Sequence, residues 1–254
     1  MDYQTLMGFV PLPNILESKK VLFVGPHPDD IEIACGGLVS ELVDLGVKVK
    51  FLIVTDGGSG SNDSTSIEKI VQTRKDESIK SAKFLRIDGI DILDFPDGGI
   101  YDTNLMATEI AKKILDFKPD TVLCPDPLLE TEIHPDHINC ASATKRALII
   151  SRFRNSAIRH GIAVDNDFKP AKGMNLVYYY TNRHNTIIPV SQTNFEKKLE
   201  SIMIHKSQID SSFEGIKMYL YFKATTLGKE VGSKYAEGYF AMSPVHQHCF
   251  LEKI

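Results

Sequence analysis

Short apolar runs alternate with helical patterns through the first half of the chain, and this alternation limits the fold more than any other feature. The apolar runs are rich in β-branched residues and are bounded by turn residues, which is typical of buried strands. They are residues 20–25, 47–55, 90–95 and 121–125. The helical patterns lie at residues 37–45, 67–85, 105–117 and 138–150. Strand followed by helix, four times over, predicts an α/β fold: a Rossmann-like, mostly parallel sheet with helices on both faces.

The second half of the chain is less regular and predicts a few further elements. Residues 175–181 are typical of a strand, while residues 194–208 and 211–226 are typical of helices. No internal repeat or linker divides the chain, so we expect a single domain over residues 1–254. Residues 57–66 are small and polar, and two interpretations stay open: a flexible surface loop, or a flap over a site.

Charge and cysteine usage argue against several classes of protein. The formal net charge of −4 and the pI near 6.1 argue against a nucleic-acid-binding protein, which usually carries a basic stripe. The four cysteines form no C-x-x-C pair, so we expect buried thiols in a reducing compartment. No apolar stretch approaches the roughly 18 residues of a membrane span, and the N-terminal residues lack a signal-peptide pattern. We therefore expect a cytoplasmic protein with no membrane span.

The most informative motif, Gly-Pro-His-Pro-Asp-Asp, directly follows the first predicted strand. Its imidazole and its two carboxylates belong to His27, Asp29 and Asp30. Ligands of open parallel sheets bind outside the carboxyl ends of the strands, so this motif is placed where chemistry is expected. Gly36 and Gly37 come next, and we expect them to allow a tight turn and a helix packed close to the sheet.

A second motif, His-Pro-Asp-His at residues 134–137, follows the fourth predicted strand and its loop. One such motif alone is more often a surface loop or a helix cap than a metal site. Two of them, both after strands and both before helices, indicate ligands that meet at one edge of the sheet. Catalytic zinc usually takes three protein ligands from His, Asp or Glu and leaves a fourth position for water. The paired motifs therefore predict a metal site.

With these motifs, the sequence resembles the LmbE-like, or PIG-L-like, family of zinc-dependent N-deacetylases. The likeness rests on PHPDDIEIACGG and on the downstream HPDH, and further short motifs spread it over nearly the whole chain. They are Thr55-Asp56-Gly57, Arg74 with Glu77, Pro96-Asp97-Gly98, His205-Lys206-Ser207-Gln208 and Ala236-Glu237-Gly238-Tyr239-Phe240. Many members carry glutamate directly after the two aspartates. This chain has Ile31 there and Glu32 next, a departure that concerns the surroundings of the metal more than its ligands.

The resemblance implies a role for each residue of the two motifs. It implies that one zinc ion per chain, which other divalent metals can replace, is bound by His27, Asp30 and His137. It implies that Asp29 is the general base and that His134 polarises the amide carbonyl and stabilises the oxyanion. Asp136 would orient or tune His134. These roles agree with the chemistry of zinc, which acidifies water and acts as a Lewis acid beside a positioned acid–base group.

Two residues outside the motifs are candidates for binding the substrate. Arg74 lies in a predicted helix, where an arginine taken alone is more often a surface residue paired at i, i+3 or i+4. Asp97 belongs to an Asp-Gly pair that suits a turn, yet it follows the third predicted strand at the same edge of the sheet. The resemblance places both toward the pocket, where Asp97 would hold sugar hydroxyls.

The sequence thus predicts a zinc-dependent hydrolase that removes an N-acetyl group from an amino sugar or from a small molecule containing N-acetylglucosamine. Its partner would be that N-acylated small molecule, and a homo-oligomer stays open. One alternative is a zinc amidase acting on a thiol conjugate or another acylated amine. Another is a catalytically silent metal-binding module. A nucleotide-binding module is disfavoured because no G-x-G-x-x-G or G-x-x-x-x-G-K-[ST] motif occurs.

Overall fold

The computed structural model describes residue 8 and residues 10–62, 64–171, 173–209 and 213–247. The strands in this part of the chain are β1 Lys20–Gly25, β2 Lys48–Thr55, β3 Gly89–Phe95, β4 Thr121–Pro125, β5 Asn175–Tyr179, β6 Thr186–Val190 and β7 Tyr235–Met242. The α-helices are α1 Asp30–Asp44, α2 Ile67–Leu85, α3 Thr103–Phe117, α4 Pro135–Arg152, α5 Arg154–Arg159, α6 Gln192–Ile202 and α7 Phe213–Glu230. A 3₁₀ turn, Ile15–Glu17, precedes β1.

The seven strands form one sheet in the order β3-β2-β1-β4-β5-β7-β6. Strands β1 to β5 run parallel to one another. Strand β7 lies between β5 and β6 and is antiparallel to both. The predicted mostly parallel α/β sheet is therefore confirmed. The chain moves outward from β1 on one side through β2 and β3, and on the other side through β4 and β5. The order thus reverses direction between β1 and β4, which is where ligands bind in sheets of this kind.

Apolar side chains of the central strands alternate between two cores, one on each face of the sheet. Leu22 and Val24 of β1 pack in the core that α3 and α4 cover. Val21 and Phe23 pack in the opposite core, which α1 covers. Because successive strand residues point to opposite faces, a continuous apolar run is what a strand buried on both sides requires. Helices on both faces are thus confirmed.

The start of α1 differs from the prediction for residues 37–45. The helix begins at Asp30, so the two glycines lie inside it and the tight turn expected of them is wrong. A Cβ atom on Gly36 would lie 2.8 Å from the Lys198 side chain, and one on Gly37 would lie 2.9 Å from the Glu237 carboxylate. Glycine is therefore needed because α6 and β7 approach the helix closely, and that close packing agrees with the prediction.

Two strands, β6 and β7, have no counterpart in the sequence prediction. Strand β6 contains Pro189 and lies at the edge of the sheet, where a missing N–H is tolerated. Strand β7 carries aromatic residues, which favour strands, but it has no β-branched residue and is interrupted by Gly238, so its strand pattern is weak.

Several sequence expectations concern features outside the site. Cys35, Cys124 and Cys140 are buried free thiols, as expected, whereas Cys249 lies outside the described residues. Among the described residues, no helix combines the length and apolar character needed to cross a bilayer. The extent of the domain over residues 1–254 stays a prediction.

Candidate active site

The two His-Pro-Asp motifs come together at the carboxyl edge of the sheet. Strands β1 and β4 pair side by side, with Leu22 opposite Val122, so the segments that follow them are neighbours. His27 lies in the turn between β1 and α1, and His134 is the N-cap of α4. The meeting of the two clusters, expected if their strands are neighbours, is confirmed.

Three side chains of these motifs have the spacing of metal ligands. The Asp30 Oδ2 atom lies 3.1 Å from His27 Nδ1 and 3.4 Å from His137 Nε2. Zinc ligands at about 2.0–2.1 Å in a tetrahedral arrangement are about 3.3 Å apart, so these three atoms fit such an ion. His27 is also part of an overlapping set with Asp97, His134 and Asp136.

Each imidazole of the first set has a carboxylate at its other nitrogen. His27 Nε2 lies 3.1 Å from Asp136 Oδ2 and 3.2 Å from Asp97 Oδ1, while His137 Nδ1 lies 2.9 Å from Glu132 Oε2. Carboxylates in that position orient metal-binding histidines and raise their basicity. The set of His27, Asp30 and His137 therefore fits a divalent metal better than the overlapping set.

The charges of the cluster also favour a cation at this place. Burial lowers the pKa of His27, but hydrogen bonds to Asp136, Asp30 and Asp97 outweigh burial and raise that pKa to about 11. Burial would raise the pKa of Asp30, yet hydrogen bonds from His137 and His27 hold it well below its usual range. Buried carboxylates that stay ionised need a positive charge beside them, which a proton or a metal ion can supply.

Asp29 differs from its neighbour in both conformation and charge. Its backbone has φ 106° and ψ −28°, a left-handed conformation that strains any residue other than glycine. Burial raises the pKa of Asp29 to about 7, with a further contribution from Asp30, while Arg74 opposes the rise. Two adjacent carboxyl groups thus have pKa values shifted in opposite directions, a pattern that separates proton-transfer groups from fixed charges.

His134 is held in one tautomer by the start of α4. The backbone N–H of Asp136 donates to His134 Nδ1 at 3.3 Å, and the backbone N–H of His134 donates to Glu132 Oε1 at 2.8 Å. Because Nδ1 accepts a hydrogen bond, the proton of the neutral ring is on Nε2. The ring of His134 lies 4.6 Å from that of His27, centroid to centroid, and so belongs to the same cluster.

The orienting of His134 by Asp136 stays a prediction, and the hydrogen bond between the two residues comes from the backbone N–H of Asp136. The carboxylate instead lies 3.1 Å from His27 Nε2 and accepts hydrogen bonds from the Tyr101 hydroxyl at 2.5 Å and the Gly98 N–H at 2.8 Å. The side chain of Asp136 therefore contacts the imidazole of His27, which is one of the three residues of the metal set. Its catalytic role stays a prediction.

Arg74 is enclosed at the site and only 4% exposed. Its guanidinium donates to the carbonyls of Pro28 at 2.8 Å and Gly57 at 3.0 Å, and it lies 3.4 Å from Asp29 Oδ2. A Cβ atom on Gly60 would lie 2.5 Å from Arg74 Nη1, so the loop covers this side chain closely. These contacts place Arg74 beside the strained Asp29 peptide. Binding of substrate by Arg74 stays a prediction.

Asp97 lies beside the same loop, and its Oδ2 atom is 3.6 Å from Arg74 Nη1. One carboxylate oxygen faces His27, and the other accepts the Ser59 N–H at 3.2 Å. The Ser59 hydroxyl donates to the Asp97 carbonyl at 2.6 Å, and Gln208 Nε2 donates to the Gly60 carbonyl at 3.0 Å. Residues 57–60 are thus tied to the site. The flap over residues 57–66 stays a prediction, and Asp63 lies outside the described residues.

Three residues at the site were missed by the sequence reasoning. The Tyr180 ring stacks on His137 with centroids 5.8 Å apart, and its hydroxyl donates to Asp30 Oδ1 at 3.1 Å. Tyr101 contacts Asp136, and Glu132 contacts His137, as described above. A usable signal existed for two of them: Tyr180 directly follows β5 at the active edge of the sheet, and Glu132 precedes the second motif by two residues.

Two other histidines of the described residues, His205 and His246, belong to neither candidate metal set. His205 is buried, and its Nε2 lies 3.0 Å from Glu32 Oε1, which also accepts the Ser81 hydroxyl at 2.6 Å. Glu32, where the chain departs from the family pattern, therefore forms an interior ion pair with His205 and belongs to neither candidate metal set. His246 is buried near Ser243, and His248 lies outside the described residues.

Comparisons with known proteins agree with this geometry. The family model described as PIG-L, GlcNAc-PI de-N-acetylase, matches residues 22–148. The diacetylchitobiose deacetylase of Thermococcus kodakarensis is 34% identical over 87% of this chain and 82% of that protein. A probable N-acetyl-alpha-D-glucosaminyl L-malate deacetylase 2 of Bacillus cereus is 27% identical over 77% of this chain and 86% of its own length. The N,N'-diacetylchitobiose deacetylase of Pyrococcus horikoshii, solved with its inhibitor MPG, superposes with a TM-score of 0.86 at 28% identity, covering 98% of this chain and 96% of that one.

Proposed function

Because the chain belongs to the PIG-L family, we propose that it is a metal-dependent hydrolase that removes the acetyl group from the nitrogen of an amino sugar. The observation that carries the proposal is the convergence of two His-Pro-Asp motifs on one carboxylate, Asp30, at ligand spacing. Beside that set lie a carboxyl group with a pKa near neutrality and an imidazole with its N–H free to donate. These are the parts that amide hydrolysis needs.

His27, Asp30 and His137 would hold one divalent metal ion, and we propose zinc because two imidazoles and one carboxylate are a donor set that catalytic zinc takes. When bound, zinc would supply Lewis-acid polarisation of the amide carbonyl and would acidify water. Asp136 and Asp97 would then accept from the outer nitrogen of His27 and keep its ring oriented, while the Glu132 carboxylate lies 2.9 Å from the outer nitrogen of His137.

Asp29 would move the protons of the reaction. Its carboxylate would accept a proton from the attacking water, and the resulting carboxylic acid would donate that proton to the nitrogen of the departing amine. A pKa of about 7 suits both transfers, because such a group gives and takes protons with similar ease at neutral pH. The Arg74 guanidinium would hold the Pro28 carbonyl and the Asp29 carboxylate in place during these transfers.

His134 would stabilise the negative charge that develops on the carbonyl oxygen. Its Nδ1 is occupied by the Asp136 N–H, so the Nε2–H is the group that can donate to that oxygen. A neutral donor fixed before the reaction needs no reorganisation when charge develops.

The proposed substrate is a small molecule with an N-acetylglucosamine unit, and N,N'-diacetylchitobiose is the first compound to test because two of the relatives described above carry its name. Asp97 would accept hydrogen bonds from sugar hydroxyls beside the metal set. A cytoplasmic location, a homo-oligomer and a direct contact of Arg74 with the sugar are further proposals without a structural test.

The proposal is tested by measuring release of acetate from N-acetylglucosamine, N,N'-diacetylchitobiose and acylated thiol conjugates, with zinc-loaded protein. We expect turnover of the sugars, and a loss of about 10²–10⁴ in kcat for Asp29→Asn with metal content unchanged. Asp94→Asn, which alters a carboxylate that is 78% exposed, is the matched control and should keep full activity. Release from the thiol conjugates alone would favour the alternative amidase, and metal-replete protein inactive on every compound would favour the silent module.

The metal assignment has its own test. His137→Ala should lose most of the metal measured by mass spectrometry, because one of three ligands is removed. His134→Ala should keep the metal, since His134 lies outside the first ligand set. Full metal content in His137→Ala would contradict the ligand assignment.

A further inference from the structure

A small cavity of about 100 Å³ lies between α1, α7 and β7. Its apolar wall includes Ile33 of α1 and Leu220, Ala224 and Leu227 of α7. Apolar cavities of about 150 Å³ take up a molecule the size of benzene, so this smaller one limits an occupant to roughly six non-hydrogen atoms.

The charged side chains that line the cavity are Lys198, Glu237 and Lys223. Lys198 Nζ and Glu237 Oε1 form a buried ion pair and lie 2.5 Å apart. The Glu237 carboxylate also accepts hydrogen bonds from the Leu38 N–H at 2.8 Å and from the Tyr239 hydroxyl at 2.6 Å. Because Lys198 and Glu237 neutralise each other, the lining carries an excess of one positive charge, that of Lys223.

Lys223 has no counter-charge of its own in the part of the chain that the structure describes. Its ammonium group forms no hydrogen bond and no ion pair with the residues described. Burial lowers the pKa of Lys223, and the neighbouring charge of Lys198 lowers it further, while Glu237 opposes the change. A partly buried cation without a partner is costly, and an anion that pairs with it relieves that cost. The cavity therefore presents one uncompensated cation beside an apolar wall.

The cavity adjoins the proposed metal site through Tyr180, which lines it. The Tyr180 backbone has φ 50°, a left-handed conformation that persists only where the surroundings fix it. Its ring stacks on His137, and its hydroxyl lies 3.1 Å from Asp30 Oδ1. The proposed ligands His27, Asp30 and His137 are not among the residues that line the cavity. A molecule in the cavity would therefore lie beside the metal site without contacting the metal.

We propose that this cavity binds a short aliphatic monocarboxylate, whose carboxylate pairs with Lys223 and whose alkyl chain packs between α1 and α7. The volume limits the chain to about two to four carbon atoms. A second carboxylate would be buried against Ile33 and Leu220 without a partner, so dicarboxylates are excluded. The site does not depend on the function proposed above, although the acetate that a deacetylase releases belongs to the same chemical class.

The test follows propionate binding by NMR, in metal-loaded protein with labelled methyl groups. We expect propionate to shift the methyl signals of Ile33, Leu220 and Leu227, which line the cavity. A carboxylate bound at the metal would instead shift Leu129, which lines an open cleft that contains His137 and reaches the same ammonium group. Propionamide, which has a similar shape and no charge, should bind at least tenfold more weakly.

The length of the ligand gives a second measurement. From acetate to propionate to butyrate, each added CH₂ group enters the apolar part of the cavity and should lower the Kd about fourfold. Octanoate is too long for the cavity and should leave the methyl signals of Leu220 and Leu227 unshifted. A Kd that does not change with chain length would overturn the proposal, because the alkyl chain would then lie in water.

Two variants locate the two ends of the ligand. Lys223→Met keeps the length of the side chain and removes its charge, and it should raise the Kd for propionate at least tenfold. Lys229→Met, at an exposed position of the same helix, is the matched control and should leave the Kd unchanged. Ala34→Leu fills the cavity from α1, at a half-buried position where the fold tolerates the larger side chain more easily, and should abolish the shifts. Equal binding by the wild type and Lys223→Met, or shifts at Leu129 without shifts at the cavity methyl groups, would overturn the proposal.

Discussion

Replacing Arg74 by methionine should raise the pKa of Asp29 and move the acidic limb of the kcat/KM profile to higher pH. The guanidinium lies 3.4 Å from Asp29 Oδ2 and is almost fully enclosed. At an effective dielectric constant of about 20, unit charges at this distance attract by about 5 kcal/mol, an upper bound because the charge is spread over the guanidinium. An opposite charge this close lowers a carboxyl pKa by about 1–3 units. We therefore expect the limb to move up by about 1–3 pH units.

The sign follows from the protonation state that the reaction uses. Asp29 must be ionised to accept a proton, so activity falls as pH drops through its pKa, which is about 7 with Arg74 in place. Without the guanidinium, burial and the Asp30 carboxylate raise the pKa of Asp29 against the charge of His205 alone, and ionisation requires higher pH. The loss of kcat/KM in Arg74→Met should be greatest near pH 6 and should shrink in alkaline solution. A bound metal ion would lower the pKa in both proteins and leave the direction of the difference unchanged.

The assay is the pH dependence of acetate release under kcat/KM conditions, with Arg74→Lys as the matched control. Lysine keeps the positive charge, so the acidic limb of the Arg74→Lys profile should stay closer to that of the wild type. Water at zinc also titrates near neutrality, so the same change is made in Asp29→Asn, where loss of Arg74 should no longer move the residual limb. An active, metal-replete Arg74→Met protein with an unmoved limb would refute the reasoning.

Two further predictions concern the packing around the site. Glu237→Gln should destabilise the fold by about 3–5 kcal/mol in urea unfolding, because the Lys198 ammonium, 2.5 Å away, would stay buried without its counter-charge. Adding Lys198→Met should recover most of this loss of stability. A Glu237→Gln protein as stable as the wild type would contradict the account. Gly60→Ala should lower kcat/KM about tenfold or more, because its Cβ would lie 2.5 Å from Arg74 Nη1 and displace the loop or the guanidinium. Gly215→Ala, where a Cβ meets nothing within 4 Å, is its control. Equal kcat/KM values for the two variants would show that the Gly60 loop accommodates the added methyl group without loss of activity.

Local sequence was sufficient for the elements whose apolar runs or helical spacing are clearest. The bounds of β1, β4 and α2 agree with the prediction because apolar runs and helical spacing depend only on neighbouring residues. The placement of His27 and His134 after neighbouring strands followed from the same information, since parallel strands present their carboxyl ends at one edge. By contrast, β7 was missed because its eight residues become a strand only through pairing with β5 and β6.

Which side chain contacts which was decided by the tertiary structure alone. Asp136 and His27 are 109 residues apart in the chain, and nothing in either motif indicates that this carboxylate contacts His27 in preference to His134. The enclosure of Arg74 depends on the close approach of Gly60, which lies in a different segment of the chain. Periodicity specifies which face of an element is buried. Strand order and the packing of distant segments specify its neighbours, and those neighbours set the charges and hydrogen bonds of the site.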